Sequence, residues 1–463
     1  MKKISFALLF GGMLAAASCS KSDNNPTPTP PPPTPVDSTG IVDIRGVIKT
    51  SQSWTKSHTY RLRGYVYVTD GAQITIEAGT RIVSNKDSAG VLVIYRDATI
   101  IAEGTVTAPI VFTSAETVPA AGDLGGVILV GQARVNGNHS VLEGGVDAAF
   151  SSFGGTNDAH SSGSLKYVRI EYAGKAVAAG DEVNGLSFYG VGSGTTIDYV
   201  EIVKGLDDAF EFFGGTVNCK HLIAYHCADD DFDMDDGFSG KIQFGISIKD
   251  PGFTDNKGTT GDISNNFEVD NVNPSNGFLW TRAPITFPTL SNFTAVGPNN
   301  APGTSPDYGY GMRWRRGSKF ILANSIVIGG QRAGLDIDDD STASYYKQGI
   351  SGFYNSFLNA YGKPYQVTNQ VANPKILDSG SLASITQTTD LSPYFADASA
   401  IGLTAPFTVL APNVKPTASS IALTTAGKFD RGKLTDPFFI PTSYVGALDG
   451  TTDWTSGWAI MTN

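Results

Sequence analysis

One segment of the chain repeats itself every 22 residues, and this repeat constrains the fold more than any other feature. Residues 199–203 are echoed by residues 221–225 and again by residues 243–247. The same step aligns a neighbouring segment, in which apolar residues fall on apolar ones and acids on acids. The aligned pairs are Phe210 with Phe232, Glu211 with Asp233, and Phe212 with Met234. Successive coils that place similar residues above one another are typical of a parallel β-helix, so the repeat predicts this fold.

Related segments lie on both sides of this repeat. A strand at residues 167–174 looks like the same unit with an insertion after it. Residues 99–104 repeat the pattern of residues 74–79. Three later segments recur at steps of 32 and 31 residues, as expected if coils there carry longer loops: 292–297, 324–329 and 355–360. We therefore predict an all-β solenoid over residues 41–360.

The last hundred residues lose the coil rhythm. Because a solenoid needs its terminal coil covered, residues 361–463 are interpreted as a capping region of the same domain, and the aromatic stretch at 438–458 as its cap.

The composition supports a β fold. Gly is abundant at 53 residues, the apolar residues are largely β-branched or aromatic, and charged residues make up only 17% of the chain. The net charge of −11 argues against a nucleic-acid partner, which favours a basic surface.

Cys219 and Cys227 would lie roughly 26 Å apart on one extended strand, beyond disulfide reach. We interpret them as buried thiols.

The first residues have the layout of a cleaved export signal. Lys2 and Lys3 precede an apolar run that ends in small residues before Cys19. The run is too short for a membrane span, which needs about 20 apolar residues. Residues 16–19 resemble the lipobox of bacterial lipoproteins, although Ala16 stands where Leu is more common. We expect residues 1–18 to be the signal peptide and Cys19 to carry lipid, palmitate included; the alternative is an ordinary signal peptide.

A polar and then proline-rich segment follows Cys19. Residues 26–35 alternate Pro with Thr and then continue as prolines, which favours an extended stalk. We interpret residues 19–40 as the lipidated cysteine and its stalk. Residues 20–25 resemble the surface-export signal of Bacteroidota lipoproteins, with one acid where two are usual. This resemblance implies a lipid-anchored protein that faces outward from the outer membrane.

Several short motifs of the body resemble one protein family. They are Ile-Glu-Ala-Gly-Thr at 76–80, Ala-Glu-Gly-Thr at 102–105, Pro-Ile-Val-Phe-Thr-Ser-Ala at 109–115, the glycine-led strand at 125–131, and the segments at 212–218, 229–240 and 453–458. Together they resemble the right-handed parallel β-helix surface lipoproteins of Bacteroidota, over roughly residues 60 to 250 and the C-terminal tail. The resemblance implies a right-handed helix and no particular activity, since most members are labelled hypothetical.

An acidic ridge is the strongest charge feature. Nine carboxylates lie between residues 207 and 236, where Lys220 is the only Lys or Arg: Asp207, Asp208, Glu211, Asp229, Asp230, Asp231, Asp233, Asp235 and Asp236. Strand alternation predicts that Asp231, Asp233 and Asp235 point outward. The 22-residue step places Asp255 next in line after Glu211 and Asp233. Like charges on coils about 4.8 Å apart repel unless a cation or a basic partner neutralises them.

Calcium is the first interpretation of the ridge, because Ca²⁺ takes six to eight hard oxygen ligands. The candidate metal ligands are Glu211, Asp231, Asp233, Asp235 and Asp255. The segment is not an EF-hand, since Gly237 is the seventh residue from Asp231 and Ile242 stands where that motif needs Glu.

Catalysis is the second interpretation. The two acid pairs one coil apart resemble the carboxylate cluster of polygalacturonase-type hydrolases, and diagonal pairs suit an inverting acid and base. A lyase would instead need Ca²⁺ and a basic residue, for which Lys204 and His226 are the nearest candidates. The hydrolase motifs Gly-His-Gly and Arg-Ile-Lys are absent from the sequence. The acid pairs are Asp207 with Asp208 and Asp229 with Asp230.

A solvated acidic face that keeps the solenoid soluble is the third interpretation. Two weaker features stay open. The cluster Arg313, Arg315, Arg316 and Lys319 around Trp314 fits either an acidic or sugar ligand or an exposed strand. The second acidic group, Asp336, Asp338, Asp339 and Asp340, fits either a turn or a metal site.

The sequence thus predicts a monomeric, surface-displayed lipoprotein with a calcium-stabilised acidic ridge. Its expected role is non-catalytic binding of glycan or another cell-surface component, such as a surface protein. The alternative is a β-helix polysaccharide lyase or inverting glycoside hydrolase that uses the same ridge.

Overall fold

The computed structural model describes residues 40–178, 181–255 and 262–461. The predicted signal peptide, Cys19 and the stalk up to residue 39 lie outside the described residues. The described residues form one compact unit.

The strands of the N-terminal half are short and follow one another closely. They are β1 (Ile41–Ile48), β2 (Gln52–Trp54), β3 (Thr59–Val68), β4 (Gln73–Ile76), β5 (Arg81–Ser84), β6 (Gly90–Ile94), β7 (Thr99–Glu103), β8 (Ile110–Ser114), β9 (Leu124–Val130), β10 (Gly163–Glu171), β11 (Lys175–Ala178), β12 (Asp181–Val183), β13 (Leu186–Tyr189), β14 (Thr196–Val203) and β15 (Phe210–Phe213).

The strands of the C-terminal half continue the same pattern. They are β16 (Asn218–Tyr225), β17 (Phe232–Asp235), β18 (Lys241–Ile248), β19 (Phe267–Val269), β20 (Thr289–Val296), β21 (Tyr310–Trp314), β22 (Ile321–Ala323), β23 (Ile326–Gly330), β24 (Ala333–Asp338), β25 (Gly352–Tyr354), β26 (Phe357–Ala360), β27 (Lys363–Thr368), β28 (Leu403–Ala405) and β29 (Asn413–Pro416).

Helical segments are few and short. They are α1 (Asp340–Lys347), α2 (Ser379–Ser384), a π-helical turn (Ile385–Thr389), and 3₁₀ turns at Ala148–Phe150, Pro274–Asn276, Ala398–Ile401, Ile421–Leu423 and Gly432–Thr435. Among the described residues, no helix combines the length and the apolar character needed to cross a membrane.

Twenty-five of the strands pair in parallel into one coiled sheet. Each coil contributes three strand segments, so the solenoid has three faces. The first face contains β2, β4, β7, β22 and β25 with the first halves of β10, β14, β16, β18 and β20. The second contains β5, β8, β23 and β26 with the second halves of those long strands and the first halves of β1 and β3. The third contains β6, β9, β13, β15, β17, β19, β21, β24 and β27 with the second halves of β1 and β3. The predicted right-handed parallel β-helix is confirmed.

The corner between the first and second faces has the same backbone conformation in successive coils. Its residue has a positive φ in each of them: Tyr167, Tyr199, His221, Phe244, Asn292, Asn324 and Asn355. The aromatic members stack at ring distances of 4.4, 4.1 and 4.9 Å. Among the asparagines, Asn355 Nδ2 donates to Asn324 Oδ1 at 2.8 Å. Stacking and side-chain hydrogen bonds therefore hold a conformation that is unfavourable for most residues.

The register confirms the 22-residue step where it was inferred most strongly. Val200 pairs with Leu222, and Glu211 pairs with Asp233. The third echo is displaced by one residue, because Leu222 pairs with Gly245 and the step there is 23. The one extra residue lies in the turn between β17 and β18, which fixed-step alignment cannot detect.

Apolar side chains from all three faces fill the interior. Phe210, Phe232 and Phe267 stack at 5.3 and 5.5 Å between ring centroids, one from each of three successive coils. Cys219 and Cys227 are free and fully buried, as predicted. Their thiols pack in the same core as these rings.

The C-terminal tail lies along the side of the solenoid. Ile440 N donates to Gln243, and Trp458 packs edge-on against Tyr167 and Tyr199. The backbone amides of Ile460 and Met461 then donate to the buried Glu201 carboxylate. The core beyond β27 is covered instead by Leu377 and by Leu382 of α2. The aromatic stretch predicted to cap the last coil thus packs beside earlier coils.

Candidate functional site

The acidic ridge occupies the outer side of the third face. In β15, β17 and β19 an apolar residue points into the core at every second position, so the residue between points outward. The outward positions form a row across successive coils: Glu211, Asp233, Glu268, Arg313 and Asp336. Parallel register therefore places three carboxylates in succession before the first cation.

Carboxylates gather at one edge of this face. Asp207 and Asp208 precede β15, and Asp229 precedes β17. Oxygen atoms of these three residues all lie within 4.8 Å of one another. Two overlapping groups extend toward the middle of the face at the same spacing, Asp208 with Glu211 and Asp233, and Asp230 with Asp233 and Glu268. The structure therefore brings together the carboxylates that the 22-residue step predicts to be neighbours on adjacent coils.

Burial and mutual repulsion raise the pKa of the carboxyl groups in the cluster. For Asp208 the burial of the side chain comes first, followed by the charges of Asp229 and Asp230. The pKa of Glu211 and of Asp233 is raised for the same reasons. Burial raises the pKa of Glu268 to about 7, although Arg315 opposes the shift. The ridge is thus not the solvated acidic face of the third interpretation, because most of its acids are buried.

Oδ1 of Asp233 and Oδ1 of Asp235 are buried carboxylate oxygens of the ridge that accept no hydrogen bond. Other oxygens of the cluster do have donors. Asp230 N donates to Asp208 Oδ1 at 2.8 Å, and Asn184 donates to Glu211. A buried carboxylate oxygen without a donor is costly, because desolvation is not offset. Asp233 is therefore a candidate ligand for a cation.

Three of the predicted metal ligands, Asp231, Asp235 and Asp255, are in none of the all-carboxylate groups. Asp231 is fully buried in an ion pair with Lys249, with 2.9 Å between Oδ1 and Nζ, and it also accepts from Ser247 and Asn266. Asp255 does not follow Asp233 in the row, because Glu268 takes that position. The loop between β18 and β19 lengthens this coil, so the 22-residue step fails there.

The arginine cluster supplies the counter-charges of the ridge. Arg315 pairs with Glu268 and with Asp270, at 2.7 Å for Asp270, and Arg313 Nη1 lies 3.3 Å from Glu268 Oε2. Trp314 points inward, is fully buried and stacks on Phe320 at 3.7 Å. A sugar therefore cannot stack on Trp314, and the open interpretation of this cluster as a ligand surface is wrong for its buried members.

The second acidic group is divided between β24, which contains Asp336 and Asp338, and the start of α1, where Asp339 caps the helix and Asp340 is its first residue. Asp339 Oδ1 accepts from the backbone amides of Ser341 and Thr342 at the start of α1. Asp340 accepts from two backbone amides in the loop after β27, and Asp338 accepts from Asn369. In the described part of the chain, this group contains no set of three candidate ligands close enough for an ion.

The candidate catalytic bases lie at the corner between the second and third faces. Lys204 and His226 both adopt a positive φ there, one coil apart. Lys204 is exposed, whereas His226 is buried and stacks on Tyr225 at 3.9 Å. Burial lowers the pKa of His226 to about 4. His226 is in none of the carboxylate groups.

A loop between β9 and β10 covers the other edge of the ridge. Its His139 Nδ1 lies 3.0 Å from Oδ1 of Asp236, and Asn138 Nδ2 donates to the same oxygen at 3.0 Å. Burial alone would lower the pKa of His139, but Asp236 and Asp235 raise it to about 10. Asn138 Oδ1 also accepts from Asn273 N, which joins this loop to the one after β19.

Sequence reasoning missed the functional residues that come from distant coils or from loops. Glu268 and Asp270 alternate with inward residues, as Asp233 and Asp235 do, and Arg313 and Arg315 repeat that alternation. This period-two pattern is the signal that could have found them. His139 lies in a loop without periodicity, and no sequence signal points to it.

Comparison with known proteins identifies a protein family. The family model described as a pectate-lyase-like beta helix domain matches residues 46–398. No curated protein and no solved structure matches the chain.

The raised pKa values predict that the chain, stripped of divalent cations, is more stable in mild acid than at neutral pH. Unfolded carboxyl groups titrate near pH 4, whereas the pKa of Glu268 is about 7 and those of Asp208 and Asp233 are raised. Over this window the folded state binds more protons, so the free energy of unfolding falls as pH rises.

Urea unfolding in a chelator should therefore give a higher midpoint at about pH 5.5 than at about pH 8. The change should shrink in Asp233→Asn and persist in Asp87→Asn, which alters an exposed turn. A midpoint that rises with pH would contradict the prediction.

Proposed function

Because the chain belongs to the family of pectate-lyase-like β-helix domains, we propose that its third face is a calcium-stabilised binding surface and not a catalytic centre. The carboxylate groups around Asp208, Glu211 and Asp233 would hold Ca²⁺. The solenoid would be displayed on the outer membrane by lipid on Cys19 and would bind glycan or another cell-surface component without chemical change.

One observation carries the calcium proposal: the overlapping carboxylate groups have ligand atoms within 4.8 Å of one another. Ligands on opposite sides of Ca²⁺ are about 4.8 Å apart, since each Ca–O distance is about 2.4 Å. The buried Asp233 Oδ1, which accepts no hydrogen bond, points to the same place. A cation would relieve the repulsion that otherwise raises the pKa of these groups.

The donor set favours calcium over transition metals. The three groups around Asp208 and Asp233 offer only carboxylate oxygens, which suit Ca²⁺ or Mg²⁺ better than ions that prefer nitrogen or sulfur. Flexible side chains of unequal reach also suit the irregular coordination of Ca²⁺, whereas Mg²⁺ demands a near-ideal octahedron.

Burial of the ridge supports binding over catalysis. Asp208 and Asp230 are 6% and 4% exposed, so a polysaccharide chain would not reach them directly. His226, the candidate base, is buried with a pKa of about 4. The arginines nearest the ridge are paired with Glu268 and Asp270.

The partly exposed edge favours a glycan as the ligand. Asp207 and Asp229 are only half-buried. Three carboxylates do not fill the six to eight positions that Ca²⁺ takes. The remaining positions of an ion at this edge, on the side of the half-buried Asp207 and Asp229, would accept hydroxyl or carboxylate oxygens of a sugar. The same edge also favours the second candidate, a lyase or hydrolase, because its acids meet solvent there.

The lipid anchor has its own test. Cells expressing the chain and fed labelled palmitate should incorporate the label, and Cys19→Ser should abolish the incorporation. Protease treatment of intact cells should remove the protein if it faces outward. Equal labelling of the Cys19→Ser chain would contradict the anchor.

Calcium titration of the purified chain tests the metal site. We expect binding heat and a rise in melting temperature, because an ion that binds only the folded state stabilises it by mass action. Asp233→Asn should weaken binding at least about tenfold, by loss of a ligand from two of the groups. Asp87→Asn, an exposed acid, is the matched control. No heat and no thermal shift would refute the calcium site.

Glycans then separate binding from catalysis. On a glycan array, the chain should bind particular glycans in the presence of Ca²⁺, and a chelator should abolish this binding. Asp207→Asn should weaken glycan binding, whereas Asp87→Asn should leave it unchanged. Incubation with polygalacturonate and related acidic glycans, with and without Ca²⁺, should leave them intact. Product formation that disappears in Asp208→Ala or Asp230→Ala would replace the binding function with an enzyme.

A further inference from the structure

We propose that His139, Asp235 and Asp236 form a second metal site, which takes a divalent transition-metal ion such as Zn²⁺. This site is chemically distinct from the all-oxygen groups at the opposite edge of the third face. The ion would fasten the loop between β9 and β10 onto the end of β17.

The geometry comes from two distant parts of the chain. Asp235 is the last residue of β17, and Asp236 follows it. His139 reaches them from the loop after β9, and ligand atoms of all three residues lie within 4.8 Å of one another. The ring of His139 packs edge-on against Phe213 at 5.2 Å, which fixes the direction of its nitrogens.

An independent observation points to a ligand at this place. Asp235 is 8% exposed, and its Oδ1 is buried without a hydrogen-bond partner. The other carboxylate of the site is well supplied with donors, since Asp236 accepts from Asn138 and from the backbone amide of His139. One buried oxygen of the site therefore accepts no hydrogen bond, and only the nearby charges of His139 and Arg316 favour its ionised form. A bound cation would offset its desolvation directly.

The donor types select the kind of ion. A neutral imidazole nitrogen with carboxylate oxygens suits Zn²⁺, Co²⁺ or Ni²⁺, whereas Ca²⁺ prefers oxygen ligands alone. On binding, the ion would replace the proton between Nδ1 of His139 and Oδ1 of Asp236, which are 3.0 Å apart. The donors from Asn138 and the His139 backbone would then orient Asp236, as outer-shell groups do in metal sites.

A metal ion at this site would stabilise the position of two segments that cover the ridge, the loop between β9 and β10 and the segment after β19. Asn138 Oδ1 accepts from Asn273 N at 2.7 Å, and Asn136 Nδ2 donates to Asn271 O at 2.7 Å. Both partners belong to the segment after β19. An ion held by His139 therefore also fixes the contact between the two loops and the third face.

Cobalt is the probe, because Co²⁺ bound to nitrogen and oxygen ligands absorbs visible light and can substitute for Zn²⁺. The purified chain would be titrated with CoCl₂ in excess CaCl₂, which fills the oxygen-only groups. We expect one Co²⁺ per chain with a new visible band, displaced by Zn²⁺. His139→Gln should abolish the band, and Asp235→Asn should weaken binding at least about tenfold.

His58→Gln is the matched control, because His58 lies before β3 in the first coils and is in none of the groups of candidate metal ligands. Its titration should match the unmodified chain. Asp235→Asn removes a carboxylate that has an unpartnered oxygen, so it should fold even if His139→Gln does not, and circular dichroism checks both. Absence of the band, or a band of equal strength in either site variant, would overturn the proposal.

Discussion

The contact between each side chain and its counterpart one coil away, about 4.8 Å along the axis, governs this structure. For inward positions the consequence is favourable, because Phe210, Phe232 and Phe267 stack into a continuous apolar column. For outward positions of the third face it is unfavourable, because Glu211, Asp233 and Glu268 repeat the same charge. The same register that builds the core therefore creates the repulsion at the site.

The chain relieves this repulsion unevenly across the face. Toward the C-terminal coils, Arg315 contacts both Glu268 and Asp270, so the acids are paired within the protein. At the edge near Asp208 and Asp233 the neighbours are mainly other carboxylates, and the pKa values rise. Protonation and cation binding are the two remaining ways to remove the charge. At neutral pH a cation does so without the cost of holding protons on several acids.

How far the sequence predicts the fold depends on how local the pattern is. The alignment of Glu211 with Asp233 needs only a constant step, and the structure confirms it. The step fails after β18, where an added loop lets Glu268 replace Asp255. The partner of Asp231 is Lys249, which lies at the same corner of the solenoid one coil further on, 18 residues later and not 22. Loop lengths and contacts at the corners are thus the part that periodicity cannot supply.

The site depends on those same non-periodic parts. Strand alternation gives the direction of Asp233 and Asp235, but burial comes from loops that the repeat does not specify. His139 shows the difference: its loop converts the outer end of β17 from a carboxylate pair into a mixed nitrogen and oxygen site. The repeat therefore determines where negative charge accumulates on the third face. The inserted loops determine which ion or ligand can bind there and neutralise that charge. In a family that shares the solenoid, differences in these loops are where differences in function would arise.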